Sequence, residues 1–169
     1  MPQAEMRMSR NSRLGWLLSL ESPARLKALA ELNDTERKRL AWHWRLWART
    51  AQLAPDGDWH TWLIMAGRGF GKTRAGAEWI REIATGNPDA RIALVGASLG
   101  EARAVMVEGE SGLLAISPAR HRPRFEPSLR RLTWRNGAQA TLYSAGEPES
   151  LRGPQSSHAC RPSPEGGMG

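Results

Sequence analysis

Apolar positions recur along this chain with two different periods, and the changes of period divide it into elements. Residues 1–13 are polar and read as a mobile tail; Leu14–Leu20 is a short amphipathic segment. Ser22 as N-cap and Pro23 at the first helical position open a helix that runs to about Leu32. Asn33 or Asp34 caps a second helix, in which Leu40, Trp44, Trp47 and Ala48 keep helical spacing. The tryptophans there read as core packing rather than as a base-stacking platform. Residues 53–58, with Pro55-Asp56-Gly57-Asp58, form a turn before the apolar run Trp62-Leu63-Ile64-Met65-Ala66, which suits a buried strand. From Lys72 the ladders Ala75/Trp79/Ile83 and Gly76/Ile80/Ala84 mark one helix face, and Gly86-Asn87-Pro88 stops it. Ile92 to Ala97 is a second continuous apolar strand, so strand, helix and strand predict a parallel βαβ unit. Residues 99–107 are helix-compatible, with Ala102, Val105 and Met106 on one side, and 109–130 read as loop. Leu132-Thr133-Trp134, the turn Arg135-Asn136-Gly137 and Ala138 to Ser144 predict a hairpin. From Ser156 periodicity ceases, and 156–169 read as an unstructured tail.

Between the first strand and its helix lies Ala66-Gly67-Arg68-Gly69-Phe70-Gly71-Lys72-Thr73. This is the P-loop pattern Gly-x-x-x-x-Gly-Lys-[Ser/Thr] with Ala66 replacing the first glycine. Glycines let the backbone turn tightly and direct successive amides at phosphate oxygens. Lys72 supplies an ammonium for the outer phosphates, Thr73 a hydroxyl for magnesium, and the following helix its positive end. The flanking elements agree with the motif, so a nucleotide site is the expectation. Arg68, inside the loop, either contacts phosphate and transition-state charge or pairs with a neighbouring carboxylate.

Composition narrows the setting. A chain of 169 residues is one ordinary domain or part of a larger one, and 40% apolar residues support a core. The net charge is +7, and only Lys27, Lys38 and Lys72 among the cations are lysine. That balance suits a phosphate-rich partner, although solvated arginines produce the same total. Arg120, Arg122, Arg124, Arg130 and Arg131 with His121 form a basic stretch containing one acid, Glu126; its default reading is a solvated loop, its alternative a nucleic-acid contact. The single Cys160 excludes a disulfide framework within the chain and fits a reducing cytosol. Arginines before Leu14–Leu20 imitate a signal peptide, but no small-x-small cleavage site follows and no run reaches transmembrane length.

Hydrolysis of a bound triphosphate needs more than the loop. An acidic residue for magnesium, usually at the end of an apolar strand, is the recurring addition. No Asp follows Asp89, which sits in a turn, and Glu147 and Glu149 flank Pro148 as surface-loop carboxylates. Binding is therefore specified better than catalysis.

The residues Arg49-Thr50-Ala51-Gln52-Leu53-Ala54-Pro55, Gly57-Asp58-Trp59 and Trp62 through Trp79 resemble the large terminase subunit, the DNA-packaging ATPase of tailed bacteriophages, prophages and gene-transfer-agent-like clusters. The resemblance continues through Val105-Met106-Val107-Glu108-Gly109, Ser111 to Ile116, Phe125-Glu126-Pro127-Ser128, Trp134 to Ala138 and Ser150-Leu151-Arg152-Gly153-Pro154-Gln155. It implies an α/β P-loop NTPase with a parallel βαβ core and two N-terminal helices. The implied activity is ATP-driven transport of double-stranded DNA into a capsid, with Mg²⁺ as cofactor and portal protein and small terminase subunit as partners. The implied site is Gln52 for adenine, Gly67, Arg68, Gly69, Phe70 and Gly71 around the phosphates, Lys72 and Arg68 for catalysis and Thr73 for magnesium. A cytoplasmic location in a bacterial host, with no membrane role, goes with it.

The implied organisation is a flexible segment 1–21, a helical segment 22–52, a partial ATPase domain 53–155 and a divergent tail 156–169. In the family a strand ending in an Asp-Glu pair, the Walker B strand, follows the stretch matched by Leu151 to Gln155; here divergence begins at Cys160 and that strand is expected to be missing. A frameshifted remnant and a functional short form both fit, and an incomplete sheet predicts marginal stability. Two rival readings stand beside this one, a small-metabolite P-loop kinase and a non-catalytic DNA- or capsid-binding module.

Overall fold

The structure, a computed structural model, describes residues 19–152 and 155–162. The N-terminal tail, most of the amphipathic segment and 163–169 lie outside the described residues. The chain divides into two compact units that part between Ala48 and Arg49.

The first unit is helical. α1 spans Ser22–Ala30, with Glu21 rather than Ser22 in the flanking position and Pro23 in the first turn. α2 spans Asp34–Leu40, and Asn33 caps it reciprocally. The Asn33 Oδ1 accepts from the Glu36 N–H at 2.9 Å, and the Glu36 carboxylate accepts from the Asn33 N–H at 3.1 Å. The predicted continuation through Trp44 and Trp47 breaks at 41–43, and a separate turn, α3, covers Trp44–Trp47. Leu46 is its buried residue, whereas Trp42 and Trp47 are exposed, so neither is the core packing expected of it.

The second unit is α/β with a mixed five-stranded sheet. A 3₁₀ turn at Thr50–Gln52 precedes the glycine-rich loop. α4 then runs Lys72–Gly86 and ends at Asn87, as the sequence predicts. β1 (Arg91–Gly96) is followed by a short helix, α5 (Leu99–Glu101), which widens into π-type turns over Ala102–Val107. β2 (Arg124–Glu126), β3 (Arg131–Thr133), β4 (Gln139–Ser144) and β5 (His158–Cys160) complete the sheet in the order β2-β3-β4-β1-β5. β1 is parallel to both neighbours, with Leu94 opposite Leu142 on one side and Cys160 on the other. β3 is antiparallel to β2 and β4. The hairpin between β3 and β4 turns where predicted. Asn136 fastens it by donating to the Ala84 carbonyl at the end of α4, 2.7 Å away.

In the second unit three further sequence expectations need correction. The run Trp62–Ala66 forms no strand, so the parallel pairing lies between β1 and β4 and between β1 and β5, not beside the glycine-rich loop. A strand requires a ladder partner, and the two sheet edges are β2 and β5, neither of which pairs with this run. Leu63 and Met65 are left 70% and 85% exposed, while Trp62 packs edge-on against Trp59 and Trp79. Aromatic contact holds this segment instead of a ladder.

The second correction concerns 156–169. Residues 158–160 are not tail but β5, paired with Ile92–Leu94. Ser157 leads it in by donating its N–H to the Arg91 carbonyl at 2.7 Å. None of the three residues of β5 carries a carboxylate. His158 meets the Trp79 ring at 5.9 Å, and Cys160 lies against Gly76 of α4, where a Cβ would stand 3.2 Å from its sulfur. The third correction is that 109–130 is not all loop, since it contains β2 and a 3₁₀ turn at Pro127–Leu129.

The core is one cluster in which Ala77, Ile80 and Ala84 of α4 join Ile92 and Leu94 of β1, Leu132 of β3, Leu142 of β4 and Met106 and Val107 of the π-type turns. Ile80 and Leu94 are each below 2% exposed, and burial on that scale contributes about 1.5–3 kcal/mol per side chain. Glu78 is buried on the same helix, its carboxylate held by Arg74 at 2.7 Å and Arg81 at 2.7 Å. The spacings are i,i+4 and i,i+3, so one helix surface supplies both guanidiniums.

Two measurements probe this packing. Glu78→Gln is expected to lower unfolding stability in urea by about 2–3 kcal/mol, the lower end for a broken buried ion pair, because both arginines retain partial access to water. An unchanged midpoint would show that the pair contributes nothing. Burial pushes the Cys160 thiol up from 9.0 to about 11. The thiolate is therefore disfavoured in the folded chain, so stability is expected to fall as pH rises from about 9 towards 11. At pH 8, alkylation of this single cysteine is expected to be about 100-fold slower in the native chain than in urea. Equal rates would mean that β5 is not docked.

Candidate functional site

The glycine-rich loop 66–73 stands at the N-terminus of α4. Gly71 flanks the helix with φ 88° and ψ 28°, and Gly69 has φ 78°. These left-handed conformations are strained for residues with a Cβ, which is the physical reason for glycine at both points. Gly71 is doubly constrained, because a Cβ there would stand 2.9 Å from the Gln52 amide nitrogen. Lys72 and Thr73 are the first two helical residues. The Lys72 ammonium folds back across the loop and donates to the carbonyls of Ala66 at 2.7 Å and Gly67 at 3.1 Å. Gly67, Arg68 and Gly69 are exposed; Phe70, Gly71, Lys72 and Thr73 are half-buried.

Gln52 is buried and comes to the loop from the preceding 3₁₀ turn. Its Nε2 donates to the Phe70 carbonyl at 2.7 Å, and its Oε1 accepts from the Arg49 N–H at 2.9 Å. Arg49 reaches the same carbonyl at 2.8 Å and lays its guanidinium over the Phe70 ring, 4.8 Å from the centroid. The structure thus brings Gln52 together with Phe70 and Gly71, and Lys72 together with Ala66 and Gly67. Arg49 is the residue that sequence reading left without a role. It flanks the 3₁₀ turn that ends in Gln52, three residues before it.

The donor set fits a polyphosphate in kind. It combines glycine-permitted backbone turns, a helix N-terminus, one ammonium and one threonine hydroxyl. The carboxylates weighed for magnesium stand apart in their bonding. Glu149 pairs with Arg152 at 3.0 Å, and Glu147 begins the 3₁₀ turn Pro148–Leu151. Among the described residues no group of three His, Cys, Asp or Glu side chains is arranged to hold a metal ion.

The basic stretch is distributed over the β2–β3 edge and the loop before it. Arg120, Arg122, Arg124 and Arg130 are exposed and Arg131 is half-buried. Glu126 lies 3.7 Å from Arg124 and 3.8 Å from Arg131, so it offsets part of their charge. Desolvation first, then the charges of Arg120, Arg81 and Arg135, hold the His121 imidazole below its ordinary range. His121 therefore contributes less charge to this surface than an unperturbed imidazole would. A shallow cavity of about 250 Å³ lies between α5 and the β2–β3 edge, lined by Leu99, Arg103, Phe125 and Arg130 among others. It contains none of the loop residues. No described helix is long and apolar enough to cross a membrane.

The sequence matches the family described as "Terminase large subunit, T4likevirus-type, N-terminal" over residues 63–160. That span covers the loop, α4 and the whole sheet through β5. No curated protein and no solved structure gives a match. The family match covers more than half of the chain, and the chain belongs to the terminase large-subunit N-terminal family.

Proposed function

We propose that residues 66–73, with Gln52 behind them, bind the triphosphate of Mg·ATP as part of a motor that packages double-stranded DNA. The observation that carries this reading is the Lys72 ammonium held on the Ala66 and Gly67 carbonyls at the mouth of α4. It lies in a chain of the terminase family. A cation parked on neutral carbonyls loses little by exchanging them for phosphate oxygens, which offer it a charge-assisted bond. Gly69 and Gly71 shape the turn, Thr73 is the hydroxyl for magnesium, and Arg68 is the loop's arginine for phosphate charge.

Binding, not turnover, is the activity assigned to these residues. Magnesium-assisted hydrolysis uses an acid on a strand near the phosphates, and none of the five described strands ends in an Asp-Glu pair. Duplex DNA is the proposed macromolecular partner, met by the exposed arginines of the β2–β3 region. Portal protein and small terminase subunit are the protein partners that go with the family. A bacterial host cytoplasm is the compartment consistent with them.

Calorimetric titration with Mg·ATP tests the central part. Lys72→Ala is expected to weaken binding by about 10- to 100-fold, the equivalent of one charge-assisted hydrogen bond, while leaving the melting temperature unchanged. Undiminished affinity in that variant would place the nucleotide elsewhere or nowhere. Phosphate transfer to a small acceptor by the wild-type chain would instead support a metabolite kinase.

A further inference from the structure

We infer that Arg49 and Gln52 are positioning residues that set the phosphate affinity of the glycine-rich loop by pinning one peptide plane, Phe70–Gly71. The inference deepens the proposed nucleotide site and rests on that reading for its ligand.

Two independent side chains donate to one carbonyl oxygen. Gln52 Nε2 lies 2.7 Å and an Arg49 guanidinium nitrogen 2.8 Å from the Phe70 oxygen. Both donors are fixed from behind. The Gln52 amide oxygen accepts from the Arg49 backbone N–H at 2.9 Å, which ties the two residues to each other across the 3₁₀ turn. The Arg49 guanidinium also rests on the Phe70 ring, 4.8 Å from its centroid, so the residue that supplies the carbonyl clamps the donor as well.

The consequence follows from peptide geometry. A trans peptide is planar, and its C=O and N–H point in opposite directions. Holding the Phe70 carbonyl towards the 49–52 turn therefore aims the Gly71 N–H away from that turn. Gly71 has φ 88°, a conformation from which a glycine escapes at little cost unless something restrains it. The absence of a Cβ lets Gln52 stand against it, within 2.9 Å of where one would be. Preorganising a donor before the ligand arrives removes an ordering cost from binding. Without the latch the peptide is free to turn over, and one amide of the cradle is presented in only part of the population.

This assignment differs from adenine recognition in what it makes the affinity depend on. A residue that reads the base changes the preference for ATP over GTP. A residue that orients the loop changes the affinity for every polyphosphate by the same factor, including one without a base.

The experiment compares magnesium complexes of ATP, GTP and tripolyphosphate by calorimetry on the full chain, with Arg49→Lys, Arg49→Ala and Gln52→Ala. For Arg49→Ala and Gln52→Ala, dissociation constants for all three ligands are expected to rise together by about 5- to 12-fold, the loss of one hydrogen bond. Arg49→Lys, which keeps the charge but loses the planar stacking and fork geometry, is expected to recover only part of that loss. A loss confined to ATP in Gln52→Ala, with tripolyphosphate unchanged, would overturn the inference in favour of base recognition. Conformational exchange at the Gly71 and Lys72 amide signals of the ligand-free protein, measured by ¹⁵N relaxation dispersion, supplies a readout that needs no nucleotide. Exchange broadening that appears there in the variants, with β1 signals unchanged, is the expected result, and its absence overturns the latch. Wild-type protein that binds no tripolyphosphate would defeat the proposed function, and the exchange measurement would still decide the latch.

Discussion

The burial of one face of α4 is the constraint on which the second unit depends. Ala77, Ile80 and Ala84 sit in the same cluster as Ile92, Leu94, Leu132 and Leu142. The helix thereby fixes where its own N-terminus stands, and the glycine-rich loop is built on that terminus. Small residues make the fit possible. Gly76 admits the Cys160 sulfur to a distance that a methyl group would contest, and Ala84 is fully buried where the hairpin residue Asn136 reaches its carbonyl. A buried charge cluster lies on the same helix, with Glu78 satisfied from both sides by Arg74 and Arg81. Such pairs are costly to desolvate and costlier to break.

The loop itself is fastened from the opposite direction. Its chain-distal end is held by the helix, and its middle by Arg49 and Gln52 at the two ends of a short 3₁₀ turn in which only Gln52 is buried. Its chain-proximal lead-in, 62–66, has aromatic contacts and no ladder. Restraint therefore comes from side chains where a sheet would otherwise supply it through the backbone. Side-chain restraint is local and removable by single substitutions, and the aromatic part of it reaches the sheet, because Trp79 also meets His158 of β5.

Much of this was legible in the sequence, for physical reasons that differ by element. α4 was readable because two i,i+4 ladders and a Gly-Asn-Pro stop agree, and its ends fall where those signals stand. The β3–β4 hairpin was readable because Asn-Gly turns have few conformations open to them. The 62–66 run misled because apolar composition reports the capacity for burial, whereas strand formation depends on a partner elsewhere in the chain. β5 was missed for the converse reason. Three residues have no periodicity, and their strand is set by the open edge of β1 and by Trp79 and Gly76 beneath them. In the site, glycines and Lys72 announce themselves through a motif, but Arg49 does not. An arginine on a short turn is indistinguishable from a solvated one until the Phe70 ring and carbonyl are seen in contact with it.

Reception of a triphosphate by the 66–73 loop is the central proposal. Titration of Mg·ATP into ¹⁵N-labelled protein, followed through the backbone amide signals, tests it most directly. The amides of Gly67 to Thr73 are expected to shift along one saturating curve, with those of β3 and β4 unmoved. Shifts confined to the β2–β3 arginines, or none at any residue, would contradict the claim and leave the loop as a helix-capping turn.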